Sequence, residues 1–172
     1  MLVAVDSSGS MSGSWGWNQL TLGGSPLGSP YEIGCAMAAI LKRIEGGNVH
    51  VIEVDTQVHT SRITTRTVIR EIGLWRPSGG GTDLSLPFTH ALKRKLVVDG
   101  FALFTDGETG AGRQHVSQAL AAYRRKHNPG AWVVLASMVP VGHSIAEPAD
   151  AGVLNIAGMD AALPMVTTEF IR

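Results

Sequence analysis

The chain predicts an α/β fold: a central, mainly parallel sheet with helices on both faces. Short uninterrupted apolar runs recur at residues 2–5, 101–104 and 132–137, as expected of strands buried on both sides. Between them lie segments with apolar residues at helical spacing, the alternation that builds parallel crossovers. At 172 residues, 44% hydrophobic and 16% charged, the chain is long and apolar enough for one domain with a full core.

Taken in order, residues 2–5 read as a buried strand. Residues 11–30 hold many Gly, Ser and Pro and read as a long loop. Residues 32–45 are helical, with Ile33, Met37, Ile40, Leu41 and Ile44 at helix spacing, and Gly46-Gly47 ends them. Residues 49–54 are a second strand, and 55–57 turn the chain into a short edge strand at 58–60. Residues 65–74 read as a short helix facing Val68, Ile69 and Ile72 inward. Residues 85–96 form another helix, with Leu86, Phe88, Leu92 and Leu96 as its apolar set. Pro87 falls in its first turn, where proline is tolerated. A strand at 101–104 precedes a helix at 114–127, and Pro129-Gly130 breaks the chain. A strand at 132–137, a short strand at 153–156 and a helix at 159–171 complete the series. No internal repeat or linker interrupts it, and residues 1–172 read as a single domain.

Fourteen basic residues balance fourteen acidic ones. A domain that binds nucleic acid through its overall field is basic. Any polyanion contact here is therefore local, or made by another part of a longer protein. The single cysteine, Cys35, excludes an internal disulfide, reads as a small core residue and fits a reducing, cytoplasmic setting. No apolar run approaches a membrane span and no signal-peptide pattern opens the chain, so no membrane partner is expected. The abrupt strand-like start reads as a domain excised from something longer.

Ligands of such sheets gather at the carboxyl ends of the strands, near the switch in strand order. Asp6-Ser7-Ser8-Gly9-Ser10 follows the first strand directly and offers Asp6, Ser8 and Ser10 as hard oxygen donors for a small divalent cation. Thr105-Asp106-Gly107-Glu108 follows the strand at 101–104 and opens onto the same edge. Gly79-Gly80-Gly81-Thr82-Asp83 lies just ahead of a helix and can reach that edge, its glycines permitting close backbone approach. Asp6, Ser8, Ser10, Thr82 and Asp106 are the candidate metal ligands. Magnesium is the first choice, with manganese or calcium as alternatives. An octahedral site of this composition leaves a position for an anionic oxygen from a partner, either an acidic protein group or an RNA phosphate. Trp15, Trp17, Asp83 and Glu108 are candidate rim residues.

Asp6-x-Ser8-x-Ser10, Thr82 after a glycine run, and Thr105-Asp106-Gly107 resemble the metal-ion-dependent adhesion site of von Willebrand factor A domains. The resemblance implies that fold, Rossmann-like and three-layered. It also implies Asp6, Ser8 and Ser10 as first-loop ligands, Thr82 as the second-loop ligand and Asp106 as a third-loop aspartate often bound through water. Narrower motifs resemble the Ro autoantigen (TROVE) family: residues 80–87, Phe104-Thr105-Asp106-x-Glu108-Thr109, Ala119-Leu120-x-x-Tyr123-Arg124-Arg125-Lys126, and Ile145-Ala146-Glu147-Pro148-x-Asp150-x-Gly152 with Gly158-x-Asp160. His143, just ahead of the last segment, joins the rim candidates. Ro proteins join a ring of helical repeats to a C-terminal A domain and bind non-coding RNAs, notably Y RNA, chiefly on the ring. The resemblance thus implies the A domain of a bacterial or viral Ro-like ribonucleoprotein, with Y-like RNA bound through the helical-repeat region of the parent protein. The first loop, residues 12–31, is longer and richer in glycine than the animal Ro pattern.

Plainer readings accompany each motif. Asp6-Ser7-Ser8-Gly9-Ser10 alone is a turn sequence, Asp106-Gly107 likewise, and Thr82 or Asp83 suits the cap of the following helix. Trp15 and Trp17 either grip a partner or cover apolar surface. Arg124-Arg125-Lys126 either touches phosphate or forms the solvated end of a helix, the reading favoured here. The expected function is non-catalytic. It is either cation-dependent binding or a purely structural role, closing an RNA-binding ring with the metal fixing three loops. A magnesium-dependent phosphatase working through an aspartyl-phosphate is disfavoured, because Ser8 stands where such enzymes need a second acid.

Overall fold

The computed structural model describes residues 1–13, 20–22, 25–107, 110–112, 114–138, 149–158 and 160–172. The strands among these residues are β1 (Leu2–Asp6), β2 (Leu20–Leu22), β3 (Ser25–Gly28), β4 (His50–Val54), β5 (Val58–Thr60), β6 (Gly100–Thr105), β7 (Trp132–Ser137) and β8 (Val153–Ala157). The helices are α1 (Pro30–Glu45), α2 (Ile69–Ile72), α3 (Leu86–Arg94), α4 (Val116–Lys126) and α5 (Leu163–Ile171). Six strands form one sheet in the order β5-β4-β1-β6-β7-β8. All its pairs are parallel except the edge pair β4–β5.

Alternation along each strand decides which face a side chain enters. Leu2 and Ala4 of β1, with Phe101 and Leu103 of β6, pack against Phe88 of α3 and Leu120 and Tyr123 of α4. Val3 and Val5, with Ala102 and Phe104, pack against Cys35, Met37 and Leu41 of α1 and Leu163 of α5. Both faces are covered, which is why residues 2–6 are all buried. Cys35 is a core residue, and burial, with the charge of Glu53 adding, pushes its thiol up to about 12.

Local chemistry moves several element boundaries. Helix α1 begins at Pro30 because Ser29 and Glu32 form a capping box: Glu32 N donates to Ser29 Oγ (3.2 Å) and Ser29 N to Glu32 Oε2 (2.9 Å). The stretch expected to be a loop at 11–30 includes the end of a 3-10 turn, Gly9–Ser12, and an antiparallel pair, β2–β3. Strands of three and four residues, Leu-Thr-Leu and Ser-Pro-Leu-Gly, leave too few residues for a period to register. Helix α2 is a single turn, not the ten residues expected. The Thr67 hydroxyl accepts from Thr64 N (2.8 Å) and the Thr64 hydroxyl from Arg66 N (3.2 Å), which diverts the backbone from helix at its start. Ile72 is buried, but Val68 and Ile69 are exposed, as are Ile40 and Ile44 of α1.

Arg124 departs from the expected solvated helix end. It pairs with Asp150, and its guanidinium donates to Ala131 O (Nη2, 2.8 Å; Nε, 3.0 Å) and Gly152 O (3.3 Å). Burial works to raise the Asp150 carboxyl, but its hydrogen bond to Arg124 outweighs that and holds it below its ordinary value. One side chain thus ties α4 to the strand β7 and to the approach of β8. Arg124→Ala is expected to destabilise the fold by about 2–3 kcal/mol in denaturant unfolding, through a part-buried pair and its carbonyl bonds. Arg124→Lys recovers little of this, because one ammonium cannot span the fork.

Candidate metal site

Strand order places the switch between β1 and β6. The chain leaves β1 to build β4 on one side and returns to lay β6 on the other. Asp6 ends β1 and Asp106 follows β6, so both open onto one edge. Each is 1% exposed.

The first loop is organised by its aspartate. Ser8 N donates to Asp6 Oδ1 (2.9 Å), and the chain then enters the 3-10 turn, whose Met11 is fully buried against α1. That anchor brings the Ser8 and Ser10 hydroxyls to 3.2 Å from one another. Thr105, from the last position of β6, donates its hydroxyl to Asp6 Oδ2 (2.7 Å) and accepts from Gly107 N (3.1 Å). The first and third loops are therefore in direct contact.

The glycine loop lies against both. Gly79 and Gly80 adopt φ of 89° and 82°, a conformation that disfavours a side chain. This lets Gly79 N reach Ser7 O (2.9 Å) and Gly80 O accept from Gly9 N (3.1 Å). Thr82 is buried, and its carbonyl accepts from Gly110 N (3.2 Å) and Ala111 N (3.1 Å) of the third loop.

Sequence reasoning missed a polar strut behind these loops. Asp55, just past β4 and 7% exposed, accepts from the Ser78 hydroxyl (Oδ2, 2.7 Å) and from Gln57 N (Oδ1, 2.7 Å), and His59 Nε2 lies 3.0 Å from Oδ1. Ser78 Oγ is 2.7 Å from Ser7 Oγ, and Asp83 N donates to Asp55 O (2.8 Å). Burial works to raise Asp55, yet hydrogen bonds from Ser78, His59 and Gln57 outweigh it and hold the carboxyl below its ordinary value. An aspartate closing a buried apolar strand was the signal available, the same one that singled out Asp6.

Asp6 behaves in the opposite way. Burial pushes its carboxyl up to about 6; bonds from Ser8 and Thr105 oppose this and the neighbouring Asp106 charge adds to it. Two buried carboxylates and the adjoining Ser8 and Ser10 hydroxyls, with Thr82 buried in the neighbouring loop, make a donor set suited to a hard dication. Among the described residues no group of three or more His, Cys, Asp or Glu side chains comes together, so the set depends on Ser and Thr oxygens.

Of the rim candidates, only Asp83 is among the described residues; Trp15, Trp17, Glu108 and His143 lie outside them. Asp83 turns out to be a helix-entry residue: its Oδ1 accepts from Ser85 N (2.9 Å) and Ser85 Oγ (2.6 Å) at the start of α3.

The Ro60 vWA domain family profile matches residues 1–171. The chain is similar to the RNA-binding protein RO60 of Deinococcus radiodurans, 32% identical over 174 residues covering 99% of this chain and 31% of that protein. It is also similar to RNA-binding protein RO60 of Caenorhabditis elegans, 40% identical over 93 residues, covering 54% of this chain and 14% of that one. The crystal structure of the D. radiodurans RO (RSR) protein superposes with a TM-score of 0.82 at 31% identity, over 99% of this chain and 34% of that one. An aerotolerance-related membrane protein of Bacteroides fragilis, 16% identical with a TM-score of 0.60 over 99% of this chain and 96% of that one, shares the fold alone. The chain spans about a third or less of the length of its curated relatives.

Proposed function

The chain belongs to the Ro60 von Willebrand factor A domain family, and from that premise we propose that it is a cation-dependent binding module of an RNA-binding ribonucleoprotein. Asp6, Ser8, Ser10, Thr82 and Asp106 would hold a divalent cation, magnesium first, with manganese or calcium as alternatives. When bound, the cation supplies an electrophilic position for an anionic oxygen of a partner, an acidic protein group or an RNA phosphate. Non-coding RNA of the Y type is a partner of the whole parent protein on this reading. A reducing, cytoplasmic setting fits the single buried thiol; no described helix is long and apolar enough to cross a membrane.

The observation that carries the proposal is Asp6, buried beside Asp106 and raised to about 6. Burial, with a small addition from the Asp106 charge, makes the Asp6 carboxylate costly to ionise; a bound dication would relieve that cost. A purely structural metal has less to do, since backbone bonds already tie the three loops together. A hydrolase forming an aspartyl-phosphate is poorly supported. Both Asp6 oxygens accept hydrogen bonds, and Ser8 is no general acid at neutral pH.

The test is calorimetric titration with magnesium, followed by measurement of partner affinity with magnesium or chelator. The binding reading expects one ion per chain and partner affinity that depends on it. Stabilisation by magnesium with partner affinity unchanged would favour the structural role. Ser78→Ala, which cuts the strut between Asp55 and Ser7, is expected to lower magnesium affinity about tenfold, as loss of groups behind metal ligands does. An affinity unchanged in that titration would show that the strut does not position the ligands.

A further inference from the structure

Neutral overall, the domain carries its charge unevenly. The fifteen residues from Arg62 to Arg76 hold four arginines and one acid, Glu71; the other ten basic residues are set against thirteen acidic ones. Arg62, Arg66, Arg70 and Arg76 are all exposed. The ion pairs among the described residues are His59–Asp55, Arg124–Asp150, Arg172–Glu45 and Arg172–Glu169, and none of them uses these four arginines.

Two of these four guanidinium groups have ordered partners. Arg62 lies 4.7 Å from the ring centroid of Trp75. Arg76 Nη1 donates to Trp75 O (2.6 Å) and Gly73 O (3.2 Å). Arg43 of α1 extends the patch, donating to Thr65 O (3.4 Å) and Thr67 O (3.0 Å) around Arg66. Carbonyl partners hold Arg43 and Arg76 in place and leave their charge intact, which lowers the ordering cost of a later contact.

The patch also reaches the end of the first loop, past the candidate ligands. Arg76 and Trp75, together with Ser12, Gly13 and Glu32, line a hollow of about 310 Å³ beside the first loop. The Glu32 carboxylate there is engaged by Ser29 N. Two residues beyond Arg76, Ser78 begins the strut that supports the glycine loop.

We propose that the surface from Arg62 to Arg76, with Arg43, binds the phosphate backbone of RNA alongside the cation site. A single acidic side chain seated on a cation has no use for arginines spread along fifteen residues. A polymer of regularly spaced phosphates does, and the guanidinium fork matches phosphate geometry. The proposal names the partner of the cation reading and rests on that reading only for the increment magnesium adds.

The test is fluorescence anisotropy of a short labelled single-stranded RNA of mixed sequence, over a salt series, with magnesium and with chelator. Arg66→Ala/Arg70→Ala is expected to weaken binding about tenfold or more and to flatten the log–log salt slope by about 1.4, two phosphate contacts at about 0.7 each. Arg66→Lys/Arg70→Lys keeps the slope. Arg125→Ala/Lys126→Ala, on exposed α4 positions, leaves affinity unchanged. Asp6→Ala removes only the magnesium increment. Wild-type affinity in Arg66→Ala/Arg70→Ala, or an equal loss in Arg125→Ala/Lys126→Ala, would overturn the proposal. So would loss of poly-glutamate binding with RNA binding intact. Absence of a magnesium increment in the wild type would instead count against the cation reading and leave the arginine surface standing.

Discussion

Asp6→Asn is expected to abolish magnesium binding, weakening it at least a hundredfold, while making the cation-free domain more stable at pH 7. The two effects share one cause. In the folded chain the Asp6 carboxyl is raised from 3.8 to about 6, chiefly by burial. A folded value above the unfolded one means that the folded state favours the protonated form. That contribution is fully present below about pH 4 and is lost as the pH rises through about 6. At neutral pH the cation-free wild type therefore carries a penalty on the order of 2–3 kcal/mol, about 1.4 kcal/mol for each pKa unit. Asparagine keeps the shape, still accepts from Ser8 N and can donate to the Thr105 hydroxyl, but it has no charge to bury. Denaturant unfolding in chelator at pH 7.5 and at pH 4 measures the difference, which vanishes at the lower pH. A variant less stable than the wild type at both pH values, or one that still binds magnesium within a fewfold of it, would show that Asp6 is a structural cap.

Adding magnesium to the wild type is the complementary experiment. At a hundred times the dissociation constant, a ligand confined to the native state stabilises by about 2.7 kcal/mol. For a chain of this size that corresponds to a rise in melting temperature of about 5–10 °C. The cation competes with a proton on Asp6, so the effect is pH-dependent. One unit below the folded value near 6, apparent affinity falls about tenfold, and the thermal shift shrinks accordingly. Thermal unfolding with magnesium and with chelator, at pH 7.5 and pH 5, reads both quantities. A shift of equal size at the two pH values would place the cation away from Asp6.

Much of this was legible in the chain. The strands at 2–5, 101–104 and 132–137 declare themselves because both faces of the sheet are covered, leaving their apolar runs uninterrupted. The loops that follow the first two inherit a position at the sheet edge from strand direction alone. What the sequence hid was side-chain hydrogen bonding across long separations. Ser78 meets Ser7 over 71 residues and Asp55 over 23, and neither contact leaves a periodic trace. Arg124 looked like one of three cations at a helix end, until Asp150 and two carbonyls met it from distant segments. The ten residues read as helix at 65–74 failed locally, because threonine hydroxyls compete for the backbone groups that a first turn requires.

Anomalous diffraction from crystals grown with manganese tests the convergent-donor claim most directly. The expected result is a single ion per chain, with the Ser8 and Ser10 hydroxyls among its ligands at about 2.0–2.3 Å and with Asp6, Thr82 and Asp106 completing its shell directly or through water. No anomalous density between the three loops at saturating manganese would contradict it.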